Sequence, residues 1–514
     1  MILATVAVIF VVALIYYFSR KFSYFKRHGL PYETGYFPLG STNSWKMMTG
    51  SLSFANVVDD IYYKYKDEKC AGYYGPLGDP ILVVRDWELS KKVLIKDFDH
   101  FVDRRPFAID EKLDPYFSRM MVMMRGEAWK SMRSIMTPVF TSGRLKNMIP
   151  TMNKIAGQLI GQTRKLGDSP VHTKKLFKDF AMEVIMATGF GVEVNSWDDD
   201  NHIVKKMVDK LMGYDGNPLF ILKFLFLFSF PKLGSFLGIK VSDAKAEKFF
   251  VDIIEQTMKQ RKGEGASEQK NDLIDILLKA MEDSKNSQEG HSNSSSVLAQ
   301  MSDEEKELVV VSQGLLMFFA GFDTISTTLA LTFHFLATNP DLQEKLLAEV
   351  RKVMNDNGGD LTYDCLNKLH YTDAFINEAM RCYNFVGALE RVCVKPYYIP
   401  EYGFYVPEGM LVQVPGQTMM QDEEFLANPK LFNPDNYFEG KVAPAMMNLN
   451  FGLGPRNCIA MRFAMMQVKL VVAHMVSTFA VLQCEKTPKE LIPNPLNASL
   501  LPKGDLWVSF QPRK

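Results

Sequence analysis

The chain has 514 residues, 47% of them apolar and 23% charged, with 59 basic and 59 acidic side chains. That balance is ordinary for a globular protein, and zero net charge excludes a global field that would recruit nucleic acid. Six cysteines without a C-x-x-C pair exclude zinc-like spacing and a dense disulfide framework, and they fit a reducing compartment.

Residues 1–19 read as a membrane anchor. Met1 to Phe18 carries no charged side chain, and Arg20, Lys21, Lys26 and Arg27 come directly after it. A run of this length can just span a bilayer. A cleavable signal would put its charge first and end on small residues; here Tyr16-Tyr17-Phe18 close the run. The basic flank should stay cytoplasmic, which puts the rest of the chain in the cytosol. Residues 20–45 read as a basic flank and hinge with Pro31 and Pro38, and 46–514 as one domain.

Pro80 to Arg85 alternates like a short strand, and most of the remaining chain has helical periodicity. Pro218 to Pro231 is strongly apolar but too short to span a bilayer. It reads equally as a core helix or as a loop at a lipid surface. Ser284 to Ser296 is serine-rich and reads as a mobile surface loop.

Met301 to Glu305 opens a long helix, capped by Ser302 with Glu305 three residues on, and its apolar pattern runs to about Phe335. Ala320-Gly-Phe-Asp-Thr324 interrupts it. A mid-helix glycine costs about 1 kcal/mol against alanine, so it needs a reason. Ala320, Gly321, Thr324 and Thr328 share a face and would leave a dent for a ligand. The alternative is a bent helix whose polar groups are satisfied locally. A further helix, Thr372 to about Tyr383, puts Glu378 and Arg381 side by side.

Phe451-Gly-Leu-Gly-Pro-Arg-Asn-Cys-Ile-Ala460 is the most informative run, leading into an apolar helical stretch, Met461 to Val481. It puts the Cys458 sulfur at a helix N-terminus, where an anion is favoured. Gly452 and Gly454 let the backbone approach something flat and large. The run reads as a thiolate held as axial ligand to haem iron; the alternative is a buried structural cysteine.

The run resembles the haem-ligand signature of the cytochrome P450 superfamily, F-x-x-G-x-R-x-C-x-G, with Ala460 in place of the last glycine. The resemblance covers roughly residues 90 to 150 and 300 to 510, and 137–146 are similar to the microsomal clan three. It implies a mainly α fold with small β-sheets: a single cytochrome P450 haem domain behind an N-terminal transmembrane anchor. The implied cofactor is haem b, with Cys458 on the iron and Phe451 beside it. Trp129 and Arg133 both donate hydrogen bonds only and suit a haem propionate, although an aromatic beside a surface arginine is a common arrangement. The resemblance adds Arg104, Arg391 and Arg456 to that set. It makes Thr324 and Asp323 the catalytic pair that brings protons to dioxygen. It makes Glu378 and Arg381 a fold-stabilising pair, with Asn436 where the family often has a third, arginine member. Asn384 stands where relatives commonly have proline. Pocket contacts would come from 113–124, the Phe220 region, Phe318, Phe319, Ala320, the run Phe385 to Leu389 with Val386 and Ala388 in it, Leu500 and Leu501.

The function implied is insertion of one oxygen atom into a lipophilic small molecule at the endoplasmic reticulum membrane. No G-x-G-x-x-G opens a βαβ unit, so NADPH and flavin would act only through a partner. That partner would be NADPH–cytochrome P450 reductase, with cytochrome b5 as a second, and Lys130, Arg144, Lys146 and Lys469 are candidate docking cations. The rivals are a haem-thiolate isomerase of peroxides and a non-catalytic haem-binding sensor.

Overall fold

The computed structural model describes residues 2–49, 51–52, 56–105, 111–213, 222–223, 226–227, 230–240, 242–264, 272–286, 301–383, 387–438, 446–447, 449–494 and 502–513. Expectations on Phe220, Asn384, Phe385, Val386, Leu500, Leu501, most of 218–231 and 287–296 lie outside them. Residues 284–286, expected in a loop, instead close a helix.

Helices dominate, with small sheets at the margins. Those that matter for the site are α1 (Ile2–Phe22), α2 (Gly126–Met136), α3 (Ser142–Leu166), α4 (Thr173–Phe190), α5 (Ala244–Glu264), α6 (Leu273–Asn286), α7 (Asp303–Thr338), α8 (His370–Cys382) and α9 (Met461–Thr478). The capping box on α7 forms as expected. Ser302 Oγ accepts from the Glu305 amide, and the Glu305 carboxylate accepts from the Ser302 amide.

α7 runs through the helical core, packed by α4, α5, α8 and α9. Phe318 shows how tightly: its ring stacks on Phe190 of α4 at 4.8 Å and meets Phe250 of α5 at 4.4 Å. A Cβ at Gly314 would lie 2.8 Å from the Cδ1 end of Ile254, so α5 and α7 approach closely there. The N-terminal amides of α8 at Tyr371 and Thr372 donate to Glu349, which satisfies donors that the helix itself cannot.

The strands are β1 (Cys70–Tyr74), β2 (Pro80–Val84), β3 (Val171–His172), β4 (Leu389–Val392), β5 (Leu411–Val414), β6 (Phe479–Leu482) and β7 (Trp507–Pro512). A four-stranded sheet has the order β1-β2-β5-β4, with β2 and β5 parallel. A three-stranded sheet has the order β6-β7-β3. The expected helix from Met461 to Val481 therefore ends early. Phe479 and Val481 alternate inward as β6 and pair with β7, because tertiary pairing outweighs the helical run.

α1 is a continuous helix whose apolar side chains, Ile9, Phe10 and Ile15 among them, are mostly exposed. Its end is tied down: Lys21 reaches Asp79 at 2.7 Å, beside β2. Among the described residues, the helix that meets a bilayer's length and composition is α7, and it is largely buried as a core helix.

Candidate active site

The loop before α9 is built around two left-handed glycines, Gly452 at φ +77° and Gly454 at φ +70°. A Cβ on Gly454 would lie 1.8 Å from the Leu94 carbonyl oxygen, so only glycine fits. The Cys458 amide donates to Phe451 O at 2.7 Å, which closes the loop on itself. Burial pushes the Cys458 thiol up. The Ala460 amide and the Arg104 and Arg133 guanidiniums work in the other direction. A metal bound to the sulfur would remove its proton outright.

Four arginines surround this loop. Arg104 donates to Arg456 O at 2.9 Å and Arg133 to Asn457 O at 2.8 Å. Arg391, on β4, donates to Leu453 O at 3.3 Å, and its Nε has no partner. Arg456 donates to Val102 O at 2.9 Å and lies 4.0 Å from the centre of the Trp129 ring, a cation–π contact. Burial, and then the neighbouring guanidiniums, push Arg391 and Arg456 down to about 9 each. Asp103 lies 3.5 Å from Arg456, and Glu390 acts on Arg104 from farther off. An added anion would relieve this cationic crowding.

Cys458, Phe451, Trp129 and the four arginines border one cavity of about 330 Å³. From α7 the same cavity is lined by Ala320, Gly321, Thr324 and Thr328. The glycine has a further reason: a Cβ at Gly321 would meet Ile185 of α4 at 3.1 Å. Thr324 Oγ1 donates to Ala320 O at 2.7 Å, and Thr328 and Thr332 repeat the pattern down the helix.

Asp323 does not border the cavity. It is buried on another side of α7, ion-paired with Lys174 of α4, whose ammonium also donates to Asp323 O and Thr327 Oγ1. Burial pushes the Lys174 ammonium down, and Asp323 opposes that shift. Lys174 carried no signal in the sequence, since it is one of three lysines in Thr173 to Lys178 and periodicity does not mark which is buried.

Glu378 and Arg381 are both buried and joined by two hydrogen bonds of 2.7 and 2.9 Å. Arg381 also donates to Met420 O, Pro429 O and Leu431 O. The Asn433 amide donates to Glu378 at 2.8 Å, and the Asn436 side-chain amide approaches it at 3.4 Å. Asn436 thus occupies the third place in the network, with a weaker bond than a guanidinium would make.

Of the expected pocket residues, Met121, Val122, Ala320 and Leu389 line the cavity. Phe318 is buried against Phe190 and Phe250 instead, and Phe319 sets its ring edge-on to Phe117 at 5.8 Å. Ala388 packs on the cluster around β1 and β2, while its neighbour Leu389 reaches the cavity. Met121, Val122, Ile185, Leu316 and Met317 form the apolar wall.

This donor set fits haem b: one cysteine thiol, apolar walls, and four guanidiniums, that of Arg391 with an unmet Nε, for two carboxylates. Half-buried Asn450, which also borders the cavity, has both side-chain polar atoms out of solvent and without hydrogen-bond partners.

A family model described as Cytochrome P450 matches residues 60–508. The chain is 31% identical to cytochrome P450 9e2 of Blattella germanica, over 99% of this chain and 98% of the relative. It is 29% identical to cytochrome P450 6B2 of Helicoverpa armigera, over 98% and 97%. It is 30% identical to cytochrome P450 6a8 of Drosophila melanogaster, over 99% of each.

Proposed function

Because the chain belongs to the cytochrome P450 family of haem-thiolate monooxygenases, we propose that it inserts one atom of dioxygen into a lipophilic small molecule. The observation that carries this is a single cavity bordered by Cys458 on one side, Thr324 on another and four arginines at its edge. Haem b, when bound, supplies an iron centre that activates dioxygen, and thiolate donation favours O–O cleavage.

Cys458 is the proposed ligand, fixed by the loop hydrogen bond to Phe451 O. Arg104, Arg133, Arg391 and Arg456, with Trp129, hold the propionates. Thr324 offers its hydroxyl inside the cavity, and Asp323, one residue away and ion-paired with Lys174, helps relay protons toward it. The apolar wall of Met121, Val122, Ile185, Leu316 and Met317 excludes water and favours an uncharged substrate.

Electrons come from a partner, an NADPH-driven flavoprotein reductase on the endoplasmic reticulum membrane, with cytochrome b5 as a second donor. The exposed apolar side chains of α1 support its role as the anchor. Of the candidate docking cations, Lys130, Lys146 and Lys469 already pair with Glu127, Asp364 and Asp373, so docking would exchange these partners.

Reconstitution with haem b, reductase and NADPH tests the proposal. Product from a lipophilic probe should require all three. Rearrangement of a peroxide without reductase would favour the isomerase. Tight binding without turnover would favour the sensor.

A further inference from the structure

Gln313 is fully buried on α7, and both ends of its amide hold one stretch of the cavity wall. Its Nε2 donates to Arg119 O at 2.8 Å and to Val309 O at 3.2 Å. Its Oε1 accepts from the Met121 amide at 2.9 Å. The wall it holds has one turn of helix, Pro115–Ser118, and then runs as turns to Met124. Met121 and Val122 of that stretch line the cavity, whereas Gln313 does not.

Positions 313, 317, 320, 321 and 324 fall on one face of α7, at steps of three, four and seven residues. The helix that carries Thr324 into the cavity therefore also carries the clamp on the adjoining wall. Phe117 also packs edge-on against Phe319 of α7, and further hydrogen bonds of this stretch run elsewhere: Ser242 to Asp114 at 3.2 Å, and Arg456 to Met124 O at 2.8 Å. An apolar side chain would fill the same space but leave the Met121 amide and Arg119 carbonyl buried without partners. A turn-rich segment relieves such a deficit by moving outward.

We propose that Gln313 is a specificity-determining positioning residue, which sets how far the Met121–Val122 wall stands from Thr324 and so the length of ligand the cavity accepts. The inference rests on the proposed haem site. Its test is a series of N-alkylimidazoles of increasing chain length, titrated spectroscopically into full-length, haem-loaded protein. These bind through the imidazole nitrogen and need no knowledge of the natural substrate.

In the wild type, affinity should rise with chain length and then fall once the alkyl chain meets the wall. Gln313→Leu should keep the haem spectrum but flatten that fall by about fivefold or more, since pocket discrimination of this kind spans such factors. Gln313→Glu keeps the acceptor for the Met121 amide and loses the donor to Arg119 O, so it should give a smaller change in the same direction. Met121→Ala should flatten the fall directly, and adding Gln313→Leu to it should change little further, because both act through one wall. Haem-loaded variants with the wild-type length profile, or additive effects of the two substitutions, would overturn the clamp. Wild-type protein that takes up no haem would instead sink the haem site on which the clamp rests.

Discussion

Lys174 and Asp323 form an ion pair inside the protein, one from α4 and one from α7, with both side chains almost wholly buried. Neighbouring Thr324 points into the cavity instead. Two consecutive residues thus serve different surroundings, one hydroxyl in the site and one carboxylate behind it. Removing one member of such a pair strands the other charge. Lys174→Ala should therefore destabilise the fold by about 3–5 kcal/mol, and replacing both residues with apolar ones should recover most of the loss. Denaturant titration of the single and double variants checks this; equal losses in both would contradict it.

Thr324→Ala should leave haem content and NADPH consumption intact. Product formed per NADPH should fall by about tenfold or more, with hydrogen peroxide rising to match, because a positioned proton donor is worth at least that much. Peroxide and product assays on the reconstituted system check it. An unchanged product yield would remove Thr324 from proton delivery.

The Glu378 network allows graded tests. Asn436→Ala removes two long hydrogen bonds, to Glu378 and from Asn433, and should cost about 1 kcal/mol. Glu378→Ala leaves the buried Arg381 charge uncompensated and should cost about 3–5 kcal/mol. Burial works against the Arg381 charge, yet the hydrogen bonds to Glu378 hold its pKa above the ordinary value. Loss of haem retention on heating should keep the same order.

Much of the site was legible in the sequence because its motifs are local. The glycines around Cys458, the capped α7 with its mid-helix glycine, and the Glu378–Arg381 spacing all lie within a few residues of each other. Lys174, Gln313 and Asn450 were not legible. Lys174 and Gln313 act on partners far along the chain, Asn450 makes no side-chain hydrogen bond among the described residues, and nothing in local pattern distinguishes a buried polar side chain from a solvated one. Phe318 shows the converse: the family resemblance implied a pocket contact, but the helix turns it toward Phe190 and Phe250.

His334, also on α7, is buried, and its Nδ1 has no hydrogen-bond partner. Burial pushes its imidazole down from 6.5 to about 4. Below pH 6.5 the unfolded chain takes up a proton that the folded chain refuses, so stability is lost as pH falls from 6.5 to about 4. The full effect is about 3 kcal/mol. His334→Phe should remove that part of the pH dependence. The stability gap between wild type and variant should shift by this amount between pH 7 and pH 4, in favour of the variant. A gap independent of pH would contradict the buried neutral imidazole.

The thiolate assignment is tested most directly by the carbon monoxide difference spectrum of the reduced, full-length protein. The wild type should show the red-shifted Soret band of thiolate-ligated haem, and Cys458→Ala should lose it. A wild-type protein that binds haem without that band, or a Cys458→Ala variant that keeps it, would contradict Cys458 as the ligand.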